Sequence, residues 1–335
     1  MRLGILASEM QGERTGVGRY VEGLLTGLSA TDFDGEVNLF FQGARFEHAL
    51  WSDPRFRLSF AGASGRSAVL WEQLSLPRLV ADAGLDAFLG PAYSLPPRLP
   101  CPSLVALHDL SFEVLPQEFG WRERWRRRLL ARRAARQASR VLTLSRAVAR
   151  QIEQRYGVAA ERIDVLPLAV DEAVFAATRR AGEIEAPSGE RVDGPYVLYL
   201  GTILPRRRVD LLVEAFAPIA RDRPDLHLVI AGANRLPQPE MLHDWVESAG
   251  LLDRVIDLGW VPERELPSLL AGAELSFYLS TYEGFGLPPM ESLAAGTPPI
   301  VSRGLGLDDL WPDYPFRCQR LDAGEIERVT RLALD

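Results

Sequence analysis

Two rhythms of apolar residues alternate along this chain. Short, almost unbroken apolar runs are bounded by glycine, proline and polar clusters, and between them apolar residues recur at helical spacing. In the first half the runs Arg2–Ala7, Glu36–Phe41, Phe56–Phe60, Asp86–Leu89, Pro102–Leu110 and Val141–Ser145 read as strands. After the first of them, Val17, Tyr20, Val21, Leu24, Leu25 and Leu28 share one helical face. Further helices are predicted over Ser67–Asp82, interrupted near Pro77, over Phe119–Arg140, and from an N-cap at Ser145 through Tyr156. The second half repeats the grammar. Strands at Tyr196–Leu200, Leu226–Ala231, Val255–Leu258, Leu275–Leu279 and Pro299–Ser302 alternate with helices at Val209–Ala220, Glu240–Ala249, Glu263–Ala271 and Pro288–Ala295.

Runs that are apolar throughout suit strands buried on both faces, and strand–helix alternation supplies the helices that cover them. The fold class is therefore α/β, with parallel sheets in two Rossmann-like domains facing a cleft. The first domain is expected over 1–175 and the second over 195–335. Between them, 176–194 has no periodicity and reads as a linker. A last helix, Ala323–Leu334, carries Ile326, Val329, Leu332 and Leu334, enough to cap the second domain. At ~1.5 Å per residue it is too short to cross back to the first domain as well.

Composition narrows the function classes. A chain of 335 residues with 47% hydrophobic and 25% charged residues suits a two-domain globular enzyme. A net charge of −7 argues against a general nucleic-acid binder. Every basic residue is arginine, so any phosphate clamp must be built from arginine. Two distant cysteines, Cys101 and Cys318, form no disulfide framework or metal-ligand spacing. The N-terminus lacks the features of a signal peptide and no apolar run reaches bilayer length, so a cytoplasmic protein is expected.

The densest chemistry lies in TYEGFGLPPMESLAAGT, Thr281–Thr297. A strand feeds the turn Gly284-Phe285-Gly286. Pro288 suits the first helical position, and Gly296 and Pro298 close the helix. Glu283 then stands on the loop and Glu291 on the helix. The amides of Phe285, Gly286 and Leu287 point out of a helix start, where phosphate binds well. A carboxylate on either side of a phosphate cradle suits a nucleotide-sugar. At the start of the second domain, Arg206, Arg207 and Arg208 follow a strand and precede a helix. Gly16 and Gly18 mark a strand-to-helix turn, although the third glycine, Gly23, falls too late for a dinucleotide fingerprint. His108-Asp109 ends a strand, the edge where ligands bind in such folds. In the arginine-rich helix FGWRERWRRRLLARRAARQASR, Trp121, Trp125 and Leu129 share a face. The expectation is a solvated helix that buries its tryptophans in the core; the alternative is weak peripheral contact of Trp121–Arg136 with an anionic membrane. Asp32-Phe33-Asp34 has a D-x-D form but sits in a polar loop and reads as a turn.

EGFGLPPMES followed by AAGTPPIVS resembles the E-x7-E signature of retaining GT-B glycosyltransferases, family 4 and its mannosyltransferases above all. The resemblance spans nearly the whole chain. It implies transfer of a hexose, with retention and without metal, from a nucleotide-diphosphate sugar to a glycan or lipid-linked acceptor hydroxyl; GDP-mannose is one candidate donor. No cofactor and no nucleic-acid partner is implied, and the cytoplasmic protein could sit peripherally at the inner face of the membrane. The catalytic candidates are Glu283, His108 and Arg207, the last standing where the family has lysine. Donor-binding candidates are Gly16, Gly18, Arg206, Val261, Gly284, Phe285, Gly286, Leu287 and Glu291. Leu168-Ala169 stands where relatives have asparagine-glycine near the hinge. A noncatalytic nucleotide-sugar binder and a GT-B sugar-nucleotide epimerase are the alternatives, and the EGFGLPPME match speaks against the epimerase.

Overall fold

The protein is seen in a computed structural model that describes residues 1–12, 16–61, 67–175, 192 and 194–335. The chain forms two compact units, Met1–Leu168 and Ala169–Asp335. The division at Leu168-Ala169 comes ahead of residue 175 because Val174 is buried with Val192 in the core of the second unit. The expected linker 176–194 lies almost wholly outside the described residues.

In the first unit the elements are β1 (Arg2–Leu6), α1 (Gly16–Ser29), β2 (Glu36–Phe41), β3 (Phe56–Phe60), α2 (Ala68–Leu74), α3 (Leu76–Asp82), β4 (Ala87–Gly90), β5 (Ser103–Ala106), α4 (Ser111–Val114), α5 (Trp121–Gln137), β6 (Arg140–Thr143), α6 (Arg146–Tyr156) and β7 (Ile163–Val165). Among the described residues they build a seven-stranded sheet in the order β3-β2-β1-β4-β5-β6-β7. Every pairing in it is parallel. Ile5, Val37, Leu39, Phe88, Val105 and Val141 are wholly buried, as strands covered on both faces require.

Local sequence explains several boundaries. The helical stretch from Ser67 breaks at Ser75 because Pro77 lies in the first turn of α3 and has no N–H to continue α2. Ser145 caps α6, its side chain accepting from the Val148 amide at 3.3 Å, and Gly157 ends that helix with φ 67°. The strand expected to run to Leu110 stops at Ala106, so His108 and Asp109 stand past its end.

α5 departs most from expectation. Its tryptophans are not in the core. Trp121, Trp125 and Leu129 are 70%, 63% and 68% exposed, while Ala131, Ala134 and Ala135 are wholly buried. Alanines bring the helix close to its neighbours and leave no depth for an indole on that side.

The second unit contains α7 (Glu172–Phe175), β8 (Tyr196–Leu200), α8 (Val209–Asp222), β9 (His227–Ala231), α9 (Met241–Ser248), β10 (Val255–Gly259), α10 (Leu266–Gly272), β11 (Leu275–Tyr278), α11 (Leu287–Ala294), β12 (Pro299–Ser302), α12 (Leu305–Leu310), β13 (Arg317–Cys318) and α13 (Ala323–Leu334). Its six-stranded sheet runs β10-β9-β8-β11-β12-β13, again parallel among the described residues. α13 is capped by Asp322, whose side chain accepts from the Glu325 amide at 2.8 Å. It buries Ile326 and Val329 in the core of this unit and joins α8 through Arg331 and Asp222 at 2.8 Å, while Leu332 stays 54% exposed.

In each sheet the strand order reverses beside the unit's first strand, at β1/β4 and at β8/β11. Loops leaving the carboxyl ends of such neighbours diverge and open a crevice, the usual ligand position in doubly wound sheets.

Candidate functional site

At the β8/β11 switch point two loops meet. The loop after β8 carries Arg206, Arg207 and Arg208, and the loop after β11 carries Glu283. They are tied by backbone, the Thr281 amide donating to the Arg206 carbonyl at 3.0 Å. Arg207 turns inward beneath Gly201, where an added Cβ would lie 2.7 Å from its Nη1. Its guanidinium lies over the Tyr278 ring, 4.6 Å from the centroid, and its Nε is 2.9 Å from Oε1 of Glu283. Arg206 reaches within 3.9 Å of the same oxygen.

This cluster is nearly dry, the side chains of Arg207 and Glu283 being 12% and 11% exposed. Burial is the largest influence on Arg207 and works against its charge. Glu283, Tyr278 and Tyr199 together outweigh it, so the guanidinium is held above its ordinary value. Burial also pushes the Tyr199 phenol up to about 12, although Arg207 opposes the shift. The Arg207–Glu283 contact is an ion pair without hydrogen-bond alignment. Nε and Nη1 of Arg207 and Oε1 of Glu283 are buried and make no hydrogen bond. Such atoms are rare in a folded interior and are suited to a ligand. Arg208 is turned away, its backbone left-handed at φ 46° and its side chain 2.8 Å from Asp210.

The glycine turn leads directly into α11. Gly286 is its N-cap, with φ 114°, a conformation that favours glycine. Leu287 is the first helical residue and Pro288 the second, one place later than expected. Pro288 and Pro289 carry no amide hydrogen, so the donors at this helix start come from Gly286 and Leu287. Glu291 follows on α11, 3% exposed. Phe285 is also buried. Val261 is buried with Leu258, Leu269 and Leu270, so whatever it offers a ligand comes through its backbone.

One part of this site was missed from the sequence. After β12 the chain doubles back so that the Gly306 amide donates to the Glu283 carbonyl at 2.8 Å. A Cβ on Gly306 would fall 2.4 Å from the Gly284 oxygen, and one on Gly286 would fall 2.5 Å from Leu307 Cδ2. Gly306 and Leu307 therefore clamp the Glu283–Gly286 turn from behind. The pair of glycines in Arg303-Gly304-Leu305-Gly306, straight after a strand, is the signal that could have found them.

The remaining candidates belong to the first unit. His108 is half-buried beyond β5 with Nε2 2.7 Å from the Pro91 carbonyl. Its ring meets Tyr20 and Tyr93 edge-on, at 4.8 and 5.8 Å. Burial lowers its pKa below the ordinary value, so the neutral form is favoured. Nε2 then carries the proton donated to Pro91, and Nδ1 is left as an acceptor. Tyr93 holds φ 61°, uncommon for a residue with a side chain, beside this histidine. Gly16 opens α1 exposed and Gly18, two residues on, is buried; residues 13–15 lie outside the described residues. Asp32 and Asp34 lie in the loop between α1 and β2. Among the described residues no group of three or more His, Cys, Asp or Glu is placed to hold a metal. None of their helices is long and apolar enough to cross a membrane.

Residues 14–174 match the family model described as Glycosyltransferase Family 4, and residues 181–314 match Glycosyl transferases group 1. The chain is 32% identical over 158 residues to mannosylfructose-phosphate synthase of Agrobacterium fabrum, covering 45% of this chain and 35% of that protein. It is 27% identical over 312 residues to O-antigen chain mannosyltransferase B of Escherichia coli, covering 89% and 81%. The chain thus spans about a third of the first relative and most of the second. Among solved structures, Anabaena Alr3699/HepE in complex with UDP-glucose superposes with TM-score 0.71 at 17% identity, over 100% of this chain and 90% of that one. That likeness is one of fold, two parallel-sheet Rossmann-like domains.

Proposed function

We propose that this family 4-like, group 1 glycosyltransferase of GT-B fold moves a hexose from a nucleotide-diphosphate sugar to a glycan or lipid-linked hydroxyl, with retention and without a metal. The observation that carries the reading is the dry Arg206–Arg207–Glu283 cluster at the β8/β11 switch point, in which Nε and Nη1 of Arg207 and Oε1 of Glu283 are buried without hydrogen bonds. Arg206, Arg207 and the Gly286 and Leu287 amides would neutralise the leaving diphosphate. Glu283 would face the transferred sugar, and Glu291 would hold the ribose hydroxyls. His108, through Nδ1, would accept from a sugar hydroxyl. The bond from the anomeric carbon to the diphosphate oxygen breaks, the acceptor oxygen bonds on the same face, and its proton passes to the departing phosphate. The mannosyltransferase named among the relatives makes GDP-mannose the first donor to test, and the UDP-glucose complex of the Anabaena neighbour supports a nucleotide-sugar donor in this fold.

The test is a thermal-shift panel of nucleoside diphosphates and their sugars, followed by NMR of the product anomer. A donor that raises Tm and is turned over to a product of the same anomeric configuration is the expected result. A panel in which no nucleotide-sugar raises Tm, or an inverted product, would sink the reading. Replacing Glu291 by alanine should act mainly on nucleotide affinity, and replacing Glu283 mainly on the rate with bound donor.

A further inference from the structure

α5 has its polarity reversed for a helix of a protein that stays in water. Its inward residues are alanines. Its exposed face is made of Trp121, Arg122, Trp125, Arg126, Leu129, Arg132 and Arg136, with no acidic residue among them. The single acid on the helix, Glu123, is paired with Arg127 at 2.7 Å. Trp121, Trp125 and Leu129 follow one another at i, i+4 and i+8, so they form a continuous stripe along one side. The guanidinium of Arg122 lies 5.1 Å from the Trp121 ring centroid. Beside the stripe is a cavity of about 320 Å3 lined by Trp125, Leu129, Arg132 and Arg155 of α6, and by Glu113, which is paired with Arg128 at 2.8 Å. Among the described residues neither Arg132 nor Arg155 has an ion-pair partner.

We infer that this face of α5 docks on a bilayer rich in anionic phospholipid, with the indoles and Leu129 in the headgroup–acyl boundary and the arginines on lipid phosphates. Charge complementarity selects this occupant. The whole chain carries −7, yet this face is purely basic. Arginines alone would fit any polyanion, but large apolar side chains interleaved with them fit an interface that is apolar a few ångströms below its charges. A 17-residue helix, ~25 Å long, lies in such an interface and does not span it. The inference is independent of the transfer reaction, since none of these residues belongs to the proposed donor site.

The test is flotation of the full chain with vesicles of phosphatidylcholine alone or mixed with phosphatidylglycerol, at low and high salt. One variant is Trp121→Ser/Trp125→Ser/Leu129→Ser, and the other is Arg122→Gln/Arg126→Gln/Arg132→Gln. All six positions are at the surface, and an unchanged Tm will show that the fold persists. The wild type should bind the anionic vesicles at least about tenfold more tightly than the neutral ones, weakening with salt, with a blue shift of tryptophan emission. Each variant should lose about tenfold or more. Equal binding to both vesicle types, wild-type binding by either variant, or no vesicle binding would overturn the inference. So would a dimer that the apolar variant dissociates while vesicles are ignored.

Discussion

Replacing Gly306 by alanine tests whether the turn bearing Glu283 is held from behind. The new methyl would fall 2.4 Å from the Gly284 oxygen, 2.5 Å from its carbonyl carbon and 2.8 Å from the Glu283 oxygen. All three are backbone atoms, so no side chain can swing aside and the turn itself must move. Overpacking of this kind costs about 1–3 kcal/mol. Lengthening the 2.8 Å bond from the Gly306 amide to the Glu283 carbonyl adds about 0.5–1.5 kcal/mol. A loss of about 2 kcal/mol should lower the Tm of the unit Ala169–Asp335 by roughly 4–8 °C. A displacement near 1 Å at the reacting groups can cost ~100-fold in rate. The comparison is Gly296→Ala, at the far end of α11, where φ is 82° and no atom lies within 4 Å. That change should lower Tm through backbone strain yet leave turnover per folded molecule intact. Thermal unfolding by circular dichroism and release of nucleoside diphosphate from a turned-over donor measure the two effects. Wild-type turnover and Tm in Gly306→Ala would refute the clamp, as would an equal loss of turnover in Gly296→Ala.

Other expectations follow from the same geometry. Arg207→Met leaves Glu283 buried beside a missing partner and should cost about 3–5 kcal/mol of stability; Arg207→Lys keeps the charge and should retain nucleoside-diphosphate affinity, by calorimetry, within about tenfold. Gly201→Ala puts a methyl 2.7 Å from Nη1 of Arg207, so calorimetry should show weaker diphosphate binding, and unchanged affinity would separate Arg207 from the donor. His108 has a folded pKa below its ordinary 6.5, so the native state resists a proton that the unfolded state takes up. Its contribution is therefore present above about 6.5 and is lost as pH falls toward the lowered value. Chemical denaturation from about pH 8 to about pH 5 should show this loss in the wild type and less of it in His108→Gln, and parallel profiles would count against a half-buried neutral ring.

The architecture was legible because its signals are repeated. Most strands are nearly unbroken apolar runs, most are followed by helical spacing, and caps such as Ser145 act through their own side chains a few residues away. The placement of Arg207 and Glu283 on the loops after β8 and β11 was legible for the same reason, since a strand's carboxyl end is readable from local pattern. What could not be read was direction. Periodicity places Trp121, Trp125 and Leu129 on one face without saying which face turns inward, and three alanines later in the helix decided it. Gly306 was hidden for a different reason. Its role depends on a backbone oxygen more than twenty positions upstream, and no local pattern records a contact of that range.

Arginine at position 207, where the sequence resemblance leads one to expect lysine, has a physical account in its surroundings. A lysine ammonium is a compact charge that keeps its water, whereas a guanidinium is flat, weakly hydrated and able to lie on an aromatic face. Here that face is Tyr278, the last residue of β11, and the carboxylate at the guanidinium edge is Glu283 on the following loop. Arg207 thus joins the two arms of the switch point, β8's loop on one side and β11's on the other. Gly201 holds φ 133°, a conformation that favours glycine, and leaves room for Arg207. The buried ion pair is weak support for stability, because desolvating two charges costs about what their attraction returns. Its value is instead geometric. Under the proposed function an arriving phosphate would find a cation already desolvated and already aimed, so the reorganisation would be made on folding and not during transfer. On the same proposal any anion entering the site would have to compete with Glu283, 2.9 Å away, for Arg207.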